Sequence, residues 1–401
     1  MAGLEKRCNP ATMRLLIHHH DIAHLDSDGE IWLGSGIGRW VKALAGHFAS
    51  IGLLLHESAA RVSAQDTPIA CDNVELLGLG PPGNYWDRVQ RMRRIRRVCR
   101  QAGASADGLL IRGMTPRQYT VWRSTDTPNK AFLLVRSPRQ KRLIKASFTS
   151  LIAAVVNRHR EREYRRILQS NIVPLANSPT YIDEIEAIAG KQAFYVPTST
   201  IGLDEFGPLA VRPLGSKIRL LFVGRLNYLK GIRELLGALA ALREQGYDCV
   251  LDIVARRVDP EFAQLGEMAR EAGIDAAVNW RGFVPFGEEL LTFYRKADVF
   301  VLPSYTEGMP RVLWEAAANC LPIVATNVGG IPSFFQNGEH ALLVPPQDAT
   351  AVADAIRRLV ESNELRENLV TSAYALASES SVEASARQMA ERLATEWSKS
   401  G

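Results

Sequence analysis

Two carboxylates, Glu307 and Glu315, stand eight residues apart in the stretch PSYTEGMPRVLWEAAANCLPIVATNVGG, residues 303–330. Pro310 lies between them and suits the first helical position, where its missing N–H would be unpaired anyway and its φ is already set. The spacing therefore predicts a helix starting near Met309. Glu307 then sits in the loop before that helix and Glu315 two turns inside it, on the order of 10 Å away along the axis. A hydrolytic pair straddles one bond at roughly 5–9.5 Å, so these two are better read as holding different parts of one long ligand. The N–H groups from Gly308 to Arg311, with the positive end of the helix dipole, favour an anionic part of it.

The cations to match that anion stand in FVGRLNYLKGI, residues 222–232, which puts Gly224, Arg225, Lys230 and Gly231 between a strand end and a helix start. A planar bidentate fork and a flexible point charge together suit adjacent phosphates. A weaker glycine pattern, Gly34, Gly36 and Gly38, could let a backbone approach a phosphate, with a simple tight turn as the equal alternative. His18, His19, His20 and His24 with Asp21 invite a metal. Consecutive strand residues point in opposite directions and cannot all converge, so these histidines, His20 among them, are expected at a cleft rim near an acceptor. Arg112 and Arg136 are expected at strand ends facing the same cleft, with pairing to surface acids as the alternative.

The elements that must position these residues alternate. MRLLIHH (13–19) reads as a buried strand and GSGIGRWVKALAGHFASIG (34–52) as a glycine turn feeding an amphipathic helix. Strands follow at 107–113, 129–138, 171–178 and 192–199, with a helix at 180–190. A weakly patterned Gly/Pro stretch, 201–217, reads as an interdomain linker and hinge. Beyond it, strands at 217–226, 247–255, 279–284, 298–304, 322–326 and 341–346 alternate with helices at 231–245, 260–273, 287–297, 310–319 and 348–361. This rhythm gives a second parallel sheet. An amphipathic helix at 382–398 is long enough to cross back onto the first domain.

With 401 residues, 46% hydrophobic and 23% charged, two ordinary globular domains are expected. The five cysteines are scattered without Cys-x-x-Cys spacing, which suggests neither a disulfide framework nor zinc and points to a reducing cytoplasm. No apolar run of membrane-spanning length and no signal-peptide pattern is seen, so the expectation is a cytoplasmic chain. The net charge of +5 is uneven: residues 1–200 hold 28 Lys and Arg against 17 Asp and Glu, whereas residues 201–401 hold 20 against 26. Seven arginines fall in 88–100 and ten basic residues in 136–166. The first half calls for an anionic partner.

GRLNYLKG (224–231), the Glu-x7-Glu segment 307–315 and the stretch 316–330 resemble the donor half of retaining family 4 glycosyltransferases. The resemblance implies the α/β GT-B fold: two Rossmann-like domains facing across a cleft, with a C-terminal helix crossing back to the first. On this chain that places an acceptor domain at 1–205, a nucleotide-sugar domain at 213–380 and the returning helix at 381–401. It further implies that Arg225 and Lys230 neutralise the diphosphate, that Glu307 with Gly308, Met309 and Pro310 holds the sugar, that Glu315 holds the ribose hydroxyls, and that Gly282, Phe283 and Val284 frame the base. Retention of configuration without a divalent metal or other cofactor is implied as well.

The chain departs from the pattern in places. Arg112 or Arg136 stands where the family often has a sugar-contacting histidine, Asn319-Cys320 replaces Cys-Gly, Ser333 replaces an acid, and Arg256-Arg257 replaces a glycine-rich strand end. Asn319 is expected to take the left-handed helix-ending conformation there.

The implied donor is a UDP- or GDP-linked sugar. The basic first half suggests a glycan or lipid-linked acceptor met on an anionic membrane surface, by a peripheral enzyme of cell-surface polysaccharide synthesis; a solvated basic helix face is the alternative. No aromatic-interleaved basic motif or DNA-binding module supports nucleic acid. A sugar phosphorylase or nucleotide-sugar epimerase on the same fold, and a non-catalytic nucleotide-sugar-binding subunit, are the rival readings.

Overall fold

A computed structural model describes residues 9–58, 66–83, 87, 90–113, 115, 117–135, 150–197, 201–256 and 262–399, without the side chains of 35, 150–157 and 180. The expected Arg136 site, Arg257 and the 136–149 part of the basic stretch lie outside them. The chain forms two units, 1–200 with 382–401, and 201–381.

The first unit is built on strands whose two faces are both apolar. Its parallel strands are β1 (Arg14–Leu25), β3 (Ser50–Ser58), β5 (Val74–Leu76), β6 (Gly108–Arg112), β7 (Asn129–Leu134), β8 (Val173–Ala176) and β9 (Phe194–Tyr195), joined by two short strands, β2 (Ile31–Gly34) and β4 (Asp66–Pro68), with β2 antiparallel to both β1 and β4. Leu15, Ile17, Leu53, Leu110 and Leu133 face one side, where α1 (Ser35–Ala45) and the C-terminal helix α12 (Val382–Ser398) cover them. Leu16, Leu54, Leu109, Ile111 and Phe132 face the other, under α2 (Met92–Gly103), α3 (Gln118–Ser124), α4 (Ser150–Leu168) and α5 (Ile182–Ala189). Burial on both faces explains why these strands read as unbroken apolar runs.

The returning helix lands where the sheet has no side chain. A Cβ on Gly108, the first residue of β6, would lie 2.4 Å from Cη2 of the buried Trp397 indole. Gly108→Ala is therefore expected to destabilise the first unit by about 1–3 kcal/mol through overpacking, read as a lower urea midpoint with an unchanged slope.

The second unit carries the order β12-β11-β10-β13-β14-β15, all parallel: β10 (Ile218–Val223), β11 (Cys249–Val254), β12 (Val278–Gly282), β13 (Val299–Leu302), β14 (Ile323–Thr326) and β15 (Leu342–Val344). Between them run α6 (Ile232–Glu244), α7 (Phe262–Glu271), α8 (Glu288–Lys296) and α9 (Arg311–Ala318), followed by α10 (Ala349–Glu361) and α11 (Asn363–Glu379). This is the doubly wound strand order, which reverses direction between β10 and β13, and ligands of such sheets sit outside the carboxyl ends of the strands at that reversal.

The stretch 201–217 is not a free linker. Ile201 is fully buried in the second core, Gly207 N–H donates to Ala318 O at 3.0 Å, and Arg212 donates to Ala297 O. A segment so tied down belongs to the second unit and does not serve as a loose hinge.

Two smaller expectations are corrected. Pro310 has extended backbone and caps α9, which begins at Arg311. The left-handed residue after α9 is Cys320, with φ of 55°, while Asn319 has φ of −105°; Asn319 instead turns its amide back to Glu315 O at 2.9 Å. Among the described residues no helix is long and apolar enough to cross a membrane. Burial pushes the Cys99 and Cys249 thiols up to about 11, so both are unreactive.

Candidate functional site

Three loops leaving β10, β13 and β14 are stitched together at the carboxyl edge of the second sheet. Gly231, in the left-handed region at φ of 65°, lets the loop after β10 close on the loop after β13: a Cβ there would lie 1.9 Å from Pro303 O. Tyr305 N–H donates to Leu229 O at 2.7 Å across the same seam. Gly329, at φ of 56°, does the same for the loop after β14, since a Cβ there would lie 1.9 Å from Glu307 O. Gly330 N–H donates to Gly308 O at 2.9 Å, and Thr326 Oγ1 donates to Ser304 O at 2.5 Å.

The stitching brings the expected residues together. Lys230 Nζ lies 2.5 Å from Glu307 Oε1, and Ser304 Oγ donates to the same oxygen at 2.7 Å. The Glu307 side chain is 9% exposed and Lys230 21%, so the pair borders solvent with little freedom to move. Arg225, just beyond β10, is exposed and makes no ion pair among the described residues. One cation is thus held beside the carboxylate and a second is available to an incoming anion.

Glu315 occupies the fifth position of α9 and is buried, with Oε2 accepting from the fully buried Tyr294 hydroxyl at 2.7 Å. Burial, and after it the Glu315 charge and hydrogen bond, holds the Tyr294 phenol protonated well beyond its ordinary range. Removing that donor takes a hydrogen bond from a buried carboxylate, so Tyr294→Phe is expected to cost about 1–3 kcal/mol, measured by thermal unfolding.

Gly282, at φ of 80°, ends β12 beside Val254, and Phe283 after it is 50% exposed. The Arg256 guanidinium lies 4.6 Å from the Phe283 ring centroid, making a cation-on-aromatic shelf at the end of the strand. Val284 is buried. Sequence reasoning had assigned only backbone here, and it missed Ser304, Tyr294 and this shelf. Ser304 was within view, three residues before Glu307; the other two need the fold to pair them.

In the first unit the strand order reverses between β1 and β6, and their carboxyl ends carry a second cluster. His18 pairs with Leu54 and Ile22 with His56, so His19, His20 and Asp21 bulge out opposite Leu55 alone. The bulge corrects the expectation that consecutive histidines cannot converge: one ligand atom from each of these three lies within 4.8 Å of the others. His18 turns inward to Leu54 O at 2.7 Å. Arg112 Nη1 lies 2.7 Å from His19 Nε2, with its guanidinium 5.2 Å from the Trp40 ring. A guanidinium cannot accept, so His19 Nε2 accepts from Arg112, while the Asp21 N–H lies 3.2 Å from His19 Nδ1. Burial, then the Arg112 charge, keeps His19 neutral, and the guanidinium on Nε2 opposes a metal cation there. His20 is also shifted down by burial, against the pull of Asp21, whose own carboxyl is shifted up by burial.

Gly36 and Gly38, read as a backbone approach to a phosphate or a tight turn, lie in the first turn of α1, and a Cβ on Gly38 would meet Thr67 Cβ at 2.8 Å, so close packing of α1 on β4 accounts for the second glycine. The triplet Asp26-Ser27-Asp28, of Asp-x-Asp form, is a turn: Asp26 accepts from the N–H groups of Asp28 and Glu30 and from Trp32 Nε1.

Residues 211–376 match the family model for Glycosyl transferases group 1, which takes in most of the second unit. The D-inositol 3-phosphate glycosyltransferase of Corynebacterium urealyticum is 33% identical over 258 residues, 58% of this chain and 60% of the relative. The chain thus matches less than two thirds of that relative's length. A glycosyltransferase of Rickettsia africae superposes with a TM-score of 0.66 at 14% identity, covering 95% of this chain and 98% of the other. The Anabaena protein HepE, in complex with UDP and glucose, gives 0.63 at 17% identity, covering 96% and 100%. The fold of the two units is that of the GT-B glycosyltransferases.

Proposed function

We propose that this chain is a retaining, metal-independent glycosyltransferase of the family 4 type, moving a hexose-type sugar from a UDP- or GDP-linked donor to a glycan or lipid-linked acceptor. The observation that carries the reading is the Lys230–Glu307 pair at the strand-order reversal, with Arg225, in the same loop after β10, exposed and making no ion pair among the described residues. A nucleotide-sugar has a polyol at each end and two phosphates between, and two separated carboxylates flanking a basic pair match that layout. Glu307 and the backbone of Gly308, Met309 and Pro310 hold the sugar. Arg225 and Lys230 hold the diphosphate, Glu315 serves the ribose, and Gly282 with the Phe283–Arg256 shelf receives the base. The names of the relatives fit a nucleotide-sugar donor: one is a glycosyltransferase, and another was solved with UDP and glucose.

The chemistry follows from where charge develops. The acceptor oxygen attacks the anomeric carbon as the bond to the diphosphate breaks, and the acceptor proton passes to the departing phosphate oxygen on the same face. Arg225 and Lys230 stabilise that leaving group, the usual source of the largest rate term. His20 and Arg112 in the first unit are the acceptor-side candidates. Incubation with a panel of UDP- and GDP-sugars tests the reading: release of nucleoside diphosphate from at least one, undiminished by a chelator and with the anomer retained by NMR, is expected. No release from any donor, or inversion, contradicts it.

The membrane part of the reading rests on α2. Arg93, Arg96, Arg97 and Arg100 line one exposed face at helical spacing, the helix has no acidic residue, and none of the four makes an ion pair among the described residues. Each contributes about 1 kcal/mol near an anionic leaflet. Sedimentation with phosphatidylglycerol vesicles at low salt is expected, reduced at least tenfold when the four become glutamine; absence of binding to any anionic vesicle contradicts it.

A further inference from the structure

Lys230 and Glu307 meet although they follow different strands, and one residue ties their two loops together at both ends of the lysine. Tyr305 N–H donates to Leu229 O at 2.7 Å, one residue before Lys230. The Tyr305 hydroxyl donates to Glu234 Oε1 at 2.6 Å, four residues after it. Tyr305 itself stands two residues before Glu307 and next to Ser304, whose hydroxyl shares Glu307 Oε1 with Lys230. The lysine therefore lies between two anchor points on one loop, and the carboxylate lies just past the anchoring residue on the other.

The hydroxyl tie is not one that stability alone calls for. Glu234 is the third residue of α6, and Ile232 and Leu235 on the same turn are buried. A glutamate at this position can reach back to an unpaired amide at its own helix start. Here Oε1 accepts from Tyr305, and Oε2 is buried with no hydrogen-bond donor among the described residues. A buried acceptor without a donor costs free energy, and replacing both partners of such a bond by apolar groups of similar shape is often neutral or stabilising. A polar pair present against that cost, at the seam that brings a cation to its carboxylate, is the arrangement expected where stability is given up for geometry.

We propose that the Tyr305–Glu234 pair is a positioning clamp that fixes Lys230 Nζ against Glu307 Oε1 and so sets where the leaving diphosphate meets its cation. Both residues act through Lys230 and Glu307 and not on the donor itself. The use of the clamp in donor binding rests on the function proposed above, whereas the contact that it fixes is present without a donor. A displacement of about 1 Å in a positioned group is enough to cost 10²-fold in rate, so the clamp matters even though it adds no group to the chemistry.

The test uses the full chain and two readouts. The first needs no ligand: acetylation by acetic anhydride, followed at each lysine by mass spectrometry. Lys230, 21% exposed and held by its carboxylate, is expected to react at least fivefold faster in Tyr305→Phe/Glu234→Leu, with the 53% exposed Lys217 as the unchanged reference. Tyr305→Phe alone should have the same effect on Lys230. Glu234→Gln keeps an acceptor for the Tyr305 hydroxyl and should restore Lys230 labelling to within twofold of the wild-type rate. The second readout is calorimetric binding of UDP and GDP, expected to weaken at least tenfold in the double variant for whichever nucleotide the wild type binds, without a fall in the thermal midpoint. Unchanged Lys230 labelling in both Tyr305 variants would overturn the clamp whether or not a nucleotide binds. So would a nucleotide affinity that falls only together with the thermal midpoint, the pattern of a merely structural pair, or one that stays unchanged while labelling rises. Faster labelling in a protein that binds neither nucleotide would support the clamp and contradict the donor-site reading, so the two failures are distinguishable.

Discussion

Lys230→Ala is expected to lower kcat/KM for the donor by about 10²–10³-fold, the range seen when one preorganised donor to a developing charge is removed. The lysine acts twice in the proposed mechanism. It offers a point charge to the diphosphate, and its Nζ holds Glu307 Oε1, which also accepts from the Ser304 hydroxyl. Losing it leaves a nearly buried carboxylate without its cation, so a stability loss of about 1–3 kcal/mol should accompany the kinetic defect. Lys230→Arg separates the two roles. Charge is kept, but the planar fork is not interchangeable with a compact ammonium at a tight contact, so stability should recover more than activity. Steady-state kinetics and thermal unfolding of both variants check this, and an unchanged kcat/KM in Lys230→Ala would remove the lysine from the donor site.

Gly329→Ala should be nearly as damaging although no side chain of chemical interest is touched. The added methyl would start 1.9 Å from Glu307 O, against backbone that cannot rotate aside, and it sits on a residue at φ of 56°. The left-handed conformation alone costs an L-residue roughly 1–2 kcal/mol. Relieving the clash means moving the Glu307 loop, and a shift of about 1 Å in a positioned group can cost 10²-fold in rate. The expected result is a folded protein with donor KM raised and kcat lowered together. Gly338→Ala is the matched control: it too is left-handed, at φ of 79°, but nothing lies within 4 Å of its Cβ, so it should lose stability without losing donor binding.

These two glycines show what the sequence could and could not reveal. The donor-side strands were legible because a parallel strand buried on both faces is an unbroken apolar run, and β10, β13 and β14 are of that kind. Lys230 and Glu307 were legible as chemistry, yet their direct contact was not, since it depends on Gly231 and Gly329 letting loops from neighbouring strands touch. Glu315 was read as a ligand holder, and its tie to Tyr294 arises from a helix that periodicity cannot orient. In the first unit the strand β3 was not read: its first three residues fall in the segment 34–52 taken as a glycine turn and helix, and IGLLLH follows that helix with only a short turn between. The bulge at His19–Asp21 was invisible for a plainer reason: a bulge is a mismatch with β3, and no property of β1 alone records it. Gly38 was read as phosphate chemistry or a tight turn, and its close approach to Thr67 could not be seen before α1 and β4 were placed together.

The most direct test of the account is nucleoside diphosphate binding to the second unit in the full chain. Thermal shift and calorimetry with UDP, GDP and the corresponding nucleosides should show saturable binding of at least one diphosphate, much weaker binding of its nucleoside, and a loss of at least tenfold in both Arg225→Ala and Lys230→Ala. Binding of nucleoside and diphosphate with equal affinity, or diphosphate affinity untouched by both substitutions, would contradict the claim that these two cations hold the leaving group.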